Sequence, residues 1–173
     1  GTGAAPIIAK VARELGILTV GIVTLPFQFE GPRRGRLAFE GLDQLKQNVD
    51  SLIVISNNKL REMYGNLSMS CAFSNADNIL ATAAKGIAEI ITVPGYINVD
   101  FEDVNFVMKE SGVSIMGSAL ARGEDRARKV IESALNSPLL EDNDIRGAKH
   151  ILLNITTGKS PEITMDEVGE ITE

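Results

Sequence analysis

The feature that most constrains the fold of this chain is a pair of apolar runs of strand length, each accompanied by a helical pattern. Residues 17–24 and 51–56 are almost continuously apolar, as expected of strands that are buried on both faces of a sheet. An amphipathic helix is predicted over 5–15, before the first run, and another over 36–48, before the second. This alternation predicts an α/β fold with a doubly wound parallel sheet.

The remaining patterns predict a long central helix and then a second part of the chain. A short helix is expected at 59–64, and a helix with apolar residues on more than one face at 73–91. Beyond Pro94 both element types alternate again: a helix from Asp100 to 110, a strand at 113–121, a helix at 124–136, a strand at 148–156 and a helix from Met165. We therefore expect two domains, residues 1–92 and 93–173, the second being the start of an α+β domain with a new sheet.

Composition and charge argue against several classes of partner. Apolar residues make up 44% of the chain and the net charge is −6, which is unsuited to nucleic acid or to a polybasic membrane anchor. No apolar run approaches the ~18 residues of a bilayer span, so we expect no direct membrane insertion.

Cys71 is the only cysteine; we expect a reducing cytoplasm and interpret this residue as a small apolar filler. The chain starts without Met and stops within a helix, so we expect part of a longer protein.

Two stretches could serve an anionic ligand. Gly1-Thr2-Gly3 leads into a helix, where glycines admit a phosphate and the helix N-terminus offers free N–H groups; a plain capped turn is the alternative. The loop at 26–34 follows a strand, at the sheet edge where ligands bind in such folds. Glu30 could accept hydrogen bonds from ribose hydroxyls and Arg34 could lie along phosphates, unless this is simply a solvated loop.

Two further pairs lie at predicted helix starts. Phe73 and Asp77 are four apart and share a face, which suits stacking on guanine and accepting from its N–H groups; a core Phe with a first-turn Asp is the alternative. Asp100 and Asp103 also share a face. Paired carboxylates repel each other unless a cation or a positioned water lies between them, but a simple N-cap explains them too.

A set of short motifs then appears along the whole chain in a fixed order: Gly1-Thr2-Gly3, Pro26-Phe27-x-Phe29-Glu30-Gly31 with Arg34, Phe73 with Asp77, Asn98-Val99-Asp100-Phe101-x-Asp103, Met116-Gly117-Ser118, Gly123-Glu124-Asp125-Arg126-Ala127, Ser137-Pro138-Leu139-Leu140 and Leu153-Asn154-Ile155-Thr156. In this order they resemble the FtsZ family, the bacterial cell-division GTPases of the tubulin superfamily. Each motif is modest alone, but the ordered set is specific.

The resemblance implies a nucleotide site that is completed by a second subunit. It implies binding of GTP or GDP by Gly1, Thr2, Gly3, Thr24, Pro26, Glu30, Arg34, Phe73 and Asp77. It implies that Asn98, Asp100 and Asp103 form a loop that enters the nucleotide site of the next subunit. There the two aspartates would orient the attacking water, while Mg²⁺ and the glycine loop take up phosphate charge; no protein side chain is expected to bind metal.

The resemblance also implies the setting of the reaction. We expect head-to-tail protofilaments at the mid-cell division site in the cytoplasm, with membrane-tethering division proteins bound through a C-terminal tail that lies outside this chain. The earlier glycine loop of the family is absent too, so we expect this chain alone to be a poor GTPase. Two alternatives remain. One is an NAD-binding Rossmann domain, which needs an acidic residue at the end of the first strand that this chain lacks. The other is a tubulin-fold assembly module without GTPase activity.

Overall fold

The computed structural model describes residues 3–65, 68–92, 100–137, 147–158 and 161–172. The elements in these ranges are, in chain order, α1 (Ala4–Glu14), β1 (Val20–Leu25), a 3₁₀ turn (Gln28–Glu30), α2 (Pro32–Lys46), β2 (Ser51–Ser56), α3 (Asn57–Tyr64), α4 (Met69–Thr92), α5 (Phe101–Met108), β3 (Gly112–Ser114), α6 (Arg126–Leu135) and α7 (Met165–Thr172).

The sheet is parallel, with the strand order β1-β2-β3. Strands β1 and β2 pair from Val20 with Ser51 to Leu25 with Ser56, so both strands end at the same edge. The side chains of the central strand alternate between two cores. Ile53 and Ile55 pack with residues of α4 and α5, and Leu52 and Val54 pack with residues of α1 and α2. Helices therefore cover both faces, which confirms the predicted doubly wound α/β fold.

The starts of β1 and α2 differ from the predictions, and the structure gives a reason for each. Strand β1 starts at Val20 and not at residue 17. The Thr19 N–H instead donates to the buried carboxylate of Asp50 at 2.9 Å, and the Asp50 N–H donates to the Thr19 carbonyl at 2.8 Å. Helix α2 starts at Pro32, four residues early, because Gly31 has a φ of 95° and Pro32 fits the first helical position.

The second part of the chain departs most from the sequence predictions. The strand expected at 113–121 is found only as β3, and it joins the first sheet instead of starting a new one. Ser51 donates from its hydroxyl to that of Ser114 at 2.7 Å, which fixes this short strand against β2. The strand expected at 148–156 is wrong: residues 147–158 are described and hold no strand, since no described strand pairs with their backbone.

Three smaller points complete the fold. Cys71 is exposed, so its interpretation as an apolar filler is wrong. None of the helices in the described ranges is both long and apolar enough to cross a membrane. The division into residues 1–92 and 93–173 stays a prediction, although Val104 and Met108 of α5 share a core with Ala83 of α4 across that boundary.

Candidate functional site

The site is built at the edge where β1 and β2 end. Thr24 is the last residue but one of β1, and Pro26 follows the strand directly. In a parallel α/β sheet the connecting helices run against the strands, so a helix that precedes a strand starts at this edge. Gly3, which is the N-cap of α1, is placed at this edge by the chain direction. Gly1 and Thr2 lie outside the described residues.

Gly3 suits close approach of a ligand. A Cβ built on it would meet no atom within 4 Å, so the space above the first turn of α1 is open. No side chain caps this helix end, which leaves its first N–H groups available to an anion. The local geometry is therefore compatible with the predicted phosphate cradle.

The loop after β1 is braced by Glu30. One carboxylate oxygen of Glu30 accepts from the Phe27 N–H at 2.9 Å, and the other accepts from Arg34 Nη1 at 2.8 Å. The Glu30 side chain is only 11% exposed, whereas that of Arg34 is 69% exposed. The loop is thus a bonded structure and not simply a solvated one. Each oxygen of Glu30 still has a lone pair for a further donor, such as a hydroxyl.

An aromatic cluster joins this loop to the central helix. Phe27 is buried and stacks on Phe29, with 4.8 Å between ring centroids. The ring of Phe73 on α4 meets Phe27 edge to face at 5.5 Å. These contacts bring the 26–34 loop and α4 together, which no sequence pattern predicted. Phe73 remains 40% exposed, so it is not a core residue and part of its ring is accessible to a ligand.

Helix α4 starts at Met69, four residues earlier than predicted. Phe73 and Asp77 therefore share a face of regular helix, as expected for residues four apart. Asp77 does not lie in the first turn, so an interaction with the helix dipole no longer explains it. It is exposed, and no hydrogen bond or ion pair of Asp77 occurs in the described structure. A carboxylate one turn from an accessible ring is compatible with the guanine contact predicted from the sequence.

Asp100 and Asp103 form a reciprocal capping box at the start of α5. The Asp103 N–H donates to Asp100 Oδ1 at 2.9 Å, and the Asp100 N–H donates to Asp103 Oδ2 at 3.3 Å. Asp100 therefore does cap α5, as the alternative interpretation of the sequence had it. One oxygen of each carboxylate is left for other partners. Asn98 lies outside the described residues, and no described hydrogen bond or ion pair links the two acids to the 26–34 loop or to Phe73 and Asp77.

Asn57 is a site residue that the sequence analysis missed. It is the first residue of α3, directly after β2, and therefore lies at the edge where β1 and β2 end. It is 5% exposed, and its Oδ1 atom is buried with no hydrogen-bond partner among the described residues. Buried polar atoms are rarely left without partners, so this amide oxygen is a candidate contact for a ligand or an ordered water. The signal in the sequence was two asparagines placed directly after a buried strand.

A cavity of about 160 Å³ lies next to the aromatic cluster, on the side of α3. Its walls come from the loop, from α3 and from the start of α4, and include Phe27, Phe29, Leu60, Arg61, Met69 and Ala72. Phe73 and Asp77 do not line it: on α4 they are turned by roughly 100–140° from Ala72, at 100° per residue. Among the described residues there is no group of three His, Cys, Asp or Glu that could hold a metal ion.

Comparisons with known families divide the chain into two matches. Residues 1–65 match the Tubulin/FtsZ family, GTPase domain, and residues 112–173 match the FtsZ family, C-terminal domain. The first match contains the 26–34 loop and Asn57, and the second begins at β3. Phe73, Asp77, Asp100 and Asp103 lie between the two matches.

Whole-chain relatives carry the same family name. The chain is 51% identical over 172 residues to the "Cell division protein FtsZ" of Pseudomonas aeruginosa, and covers 43% of that protein. It is 54% identical to the protein of that name from Coxiella burnetii, of which it covers 45%. The chain thus spans less than half the length of these curated relatives.

Solved structures agree on the fold. The structure "FtsZ dimer, empty (M. jannaschii)" matches with a TM-score of 0.77 and 48% identity, covering 81% of this chain and 41% of that one. The GDP-bound monomer of CetZ1 from Haloferax volcanii matches with a TM-score of 0.60 at 22% identity, which is a likeness of fold alone.

Proposed function

Because this chain belongs to the FtsZ family, we propose that it is part of a GTP-dependent, self-assembling protein of the cell-division ring. The complete protein hydrolyses GTP to GDP and phosphate at the contacts between its subunits. Residues 1–92 carry the GTP-binding side, and residues 93–173 carry the acids that serve the neighbouring subunit. It works in the cytoplasm at mid-cell and is tethered to the membrane by other division proteins.

The observation that carries this proposal is the contact of Phe73 with Phe27, in the loop that follows β1. This contact holds the partly exposed ring of Phe73 against the braced 26–34 loop, and the Asp77 carboxylate follows one turn on along α4. In this arrangement the base stacks on Phe73 and donates to Asp77. The ribose lies against Thr24, Pro26 and Glu30, and Arg34 faces the phosphates. Asn57 adds a buried amide at the same edge.

The phosphates lie at the start of α1. Gly3, with Gly1 and Thr2 before it, offers backbone N–H groups at a helix end whose dipole favours negative charge. Mg²⁺ bound with the nucleotide would supply further positive charge beside the phosphates.

Hydrolysis uses the two acids of the next subunit. A water attacks the γ-phosphorus, the bond from that phosphorus to the β-phosphate oxygen breaks, GDP leaves with both bonding electrons, and the protons of the water pass to the released phosphate. An aspartate carboxylate is a weak base at neutral pH, so Asp100 and Asp103 orient and polarise this water rather than deprotonate it outright. The capping box holds both carboxylates in place and leaves one oxygen of each for the water.

A second candidate function is assembly without hydrolysis. The capping box favours it, because it gives both acids a structural reason to be present. We infer that this candidate applies to the 173-residue chain alone, which covers 43% of the length of a relative.

A turnover assay tests both candidates. Phosphate release from GTP, with ATP as the control nucleotide, is measured for the complete gene product and for the 173-residue chain. We expect GTP-specific, concentration-dependent turnover by the first and little by the second. Turnover of both nucleotides at equal rates contradicts the base assignment, and absence of turnover during GTP-dependent assembly supports the second candidate.

A further inference from the structure

The outer face of α2 has a charge pattern that is complementary to itself. Arg33 and Arg36 lie in the first part of the helix, and Glu40 and Asp43 lie in its second part. We propose that α2 pairs with α2 of a second copy of this chain in the antiparallel direction, around a twofold axis level with Ala38. This contact goes beyond the proposed function and does not depend on nucleotide.

The four charged side chains share one face of the helix. At 100° per residue, they fall within an arc of roughly 80°. Leu42 and Leu45, which pack in the core with β2, lie on the opposite side of α2. All four charged side chains are exposed. The charged face therefore points away from the core and is open to a second copy.

The helix itself does not explain where these charges lie. Arg33 is in the first turn of α2, which holds no acidic residue, and Asp43 is in the last turn. For both residues this is the reverse of the placement that the helix dipole favours. Antiparallel pairing brings the cationic part of each helix to the acidic part of the other, so each charge gains a partner of opposite sign.

The charges also have no partners within the chain. No hydrogen bond or ion pair of these four side chains occurs among the described residues. Arg128 and Glu132 on α6 are likewise four residues apart, and they form an ion pair at 2.9 Å. Arg36 and Glu40 have the same spacing on α2 without such a bond, so both remain available to a second copy.

The positions of the charges satisfy a twofold axis. In an antiparallel pair, a residue that lies before the axis meets the residue that lies equally far after it on the other copy. Arg33 and Asp43 each lie five positions from Ala38, and Arg36 and Glu40 each lie two. Because the axis repeats every contact, each of these pairs of opposite charge occurs twice.

Two exposed apolar side chains complete the contact. Leu37 is 51% exposed and Phe39 is 58% exposed. Each lies one position from Ala38, and they flank the charged face roughly 40° beyond its two edges, at 100° per residue. The axis therefore brings Leu37 near the same residue of the second copy on one side of the contact, and Phe39 near its equivalent on the other. Covering these side chains removes apolar surface from water.

Helix α1 also has exposed apolar side chains, but its charges do not favour a second copy. Ile7, Ile8 and Leu15 are 67%, 68% and 70% exposed. Lys10 and Glu14 on the same helix pair with each other at 3.9 Å. The complementary charges that single out α2 are therefore not available on α1.

The contact is isologous, since the same face of both copies takes part. Such a contact closes on itself and stops at the dimer, whereas a head-to-tail contact leaves a free surface at each end. One helix from each copy makes a small interface, and small interfaces are weak and transient. A covalent trap is therefore the suitable assay.

A linker between cysteines near the axis traps the contact. In the complete gene product, Leu37→Cys is combined with Cys71→Ser and with serine at any cysteine outside this chain, and a short bismaleimide reagent is added without nucleotide. We expect a covalent dimer and no larger species. Leu120→Cys, at a side chain that is 77% exposed, is the control and should give at least tenfold less dimer. Equal yields of dimer from the two cysteines overturn the proposal.

Charge reversals in the Leu37→Cys protein identify the partner of each charge. Arg36→Glu alone and Glu40→Arg alone each place like charges opposite each other twice, so each should lower the yield of dimer about tenfold. A mixture of the two variants places opposite charges at both positions, and the mixed dimer should form at the unmodified yield. A tag on one variant distinguishes the mixed dimer by its mass. Pairing within one helix cannot produce this recovery, since each chain still carries two like charges.

The pair on α6 supplies the matched control. Arg128→Glu and Glu132→Arg change charges of the same spacing that are bonded within their own helix, so neither should change the yield of dimer, alone or mixed. Unchanged yields from the single α2 variants, no recovery in their mixture, or equal effects of the α6 variants overturn the proposal. The measurement involves no GTP, so its failure leaves the proposed function untouched, and absent GTP turnover leaves this contact untouched.

Discussion

The capping box of α5 allows the structural and the catalytic roles of its two acids to be separated. Helix α5 has 8 residues, and its buried side chains Val104 and Met108 pack in the core with α4. Asp100→Ala removes the acceptor of the 2.9 Å bond from the Asp103 N–H. Loss of an N-cap of this kind costs about 1 kcal/mol.

The amide replacements separate the two roles. Asp100→Asn keeps an oxygen acceptor of the same shape, and asparagine caps helices as well as aspartate does, so the cost is at most a few tenths of a kcal/mol. Asp103→Asn keeps the weaker 3.3 Å bond but loses the favourable interaction of its charge with the helix dipole, about 0.3–1 kcal/mol. Both asparagine variants, however, remove a carboxylate from the proposed site.

Unfolding in urea and turnover of GTP are therefore measured on the same variants. For Asp100→Ala we expect the urea midpoint to fall by roughly 0.3–1 M, since about 1 kcal/mol is divided by a slope of 1–3 kcal/mol per M. For Asp100→Asn we expect an almost unchanged midpoint but a loss of GTP turnover in the complete gene product. Full turnover by both asparagine variants, with loss only in Asp100→Ala, would show that the acids serve as helix caps and would refute their catalytic assignment.

Three further predictions concern recognition of the guanine base, the hydrophobic core and the ion pair between Arg126 and Glu167. Asp77→Ala should weaken GTP binding by about 1–3 kcal/mol and reduce the preference over ATP; an unchanged preference in competition calorimetry contradicts the assignment. Leu52→Ala should destabilise the fold by about 2–5 kcal/mol, because this side chain is 1% exposed in the central strand, whereas the exposed Leu120→Ala should change the urea midpoint little. The pKa of Glu167 lies at about 2, below its ordinary 4.5, so its pairing with Arg126 stabilises the fold fully above pH 4.5, and this stabilisation is lost as the pH falls towards 2. In an NMR titration of Glu167, Arg126→Gln should raise this pKa back towards 4.5. An unchanged pKa of Glu167 contradicts the pairing.

The central strand shows which parts of the fold the sequence could predict. Residues 51–56 were predicted with the bounds that the structure has, because an unbroken apolar run fits only a strand with a core on each side. The start of β1 was missed, because the tie between Thr19 and Asp50 joins residues far apart in the chain. The strand at 148–156 was wrong because its apolar pattern is local, whereas a strand needs a partner that no local pattern reveals.

The candidate site was predicted as a set of residues but not as an arrangement. The i, i+4 spacing was enough to place Phe73 and Asp77 on one face. The edge contact of Phe73 with Phe27 and the pairing of Glu30 with Arg34 depend on tertiary packing. Asn57 was missed because only burial shows that its amide lacks a partner among the described residues.

Catalysis between subunits makes a prediction that substitution of Asp100 or Asp103 alone cannot test. Phe73 lies near the start of α4, roughly 28 Å along the helix from Thr92 at 1.5 Å per residue, and the two acids follow that far end in the sequence. If they serve the neighbouring nucleotide, Asp103→Asn should leave GTP binding nearly intact, abolish turnover and let filaments persist. Asp77→Ala should instead lose GTP affinity while keeping good acids.

Mixing the two variants should then restore activity, because Asp77→Ala subunits offer Asp103 to the GTP held by Asp103→Asn subunits. In a random one-to-one polymer about a quarter of the head-to-tail contacts join an intact nucleotide site to intact acids, so turnover should reach roughly a quarter of the unmodified value. Neither variant polymerised alone has any such contact. Sedimentation first establishes that the two variants form mixed polymers. Mixed polymers that remain inactive, or Asp103→Asn protein that mainly loses GTP affinity, would place the acids in the same subunit as the nucleotide and exclude the two-subunit site.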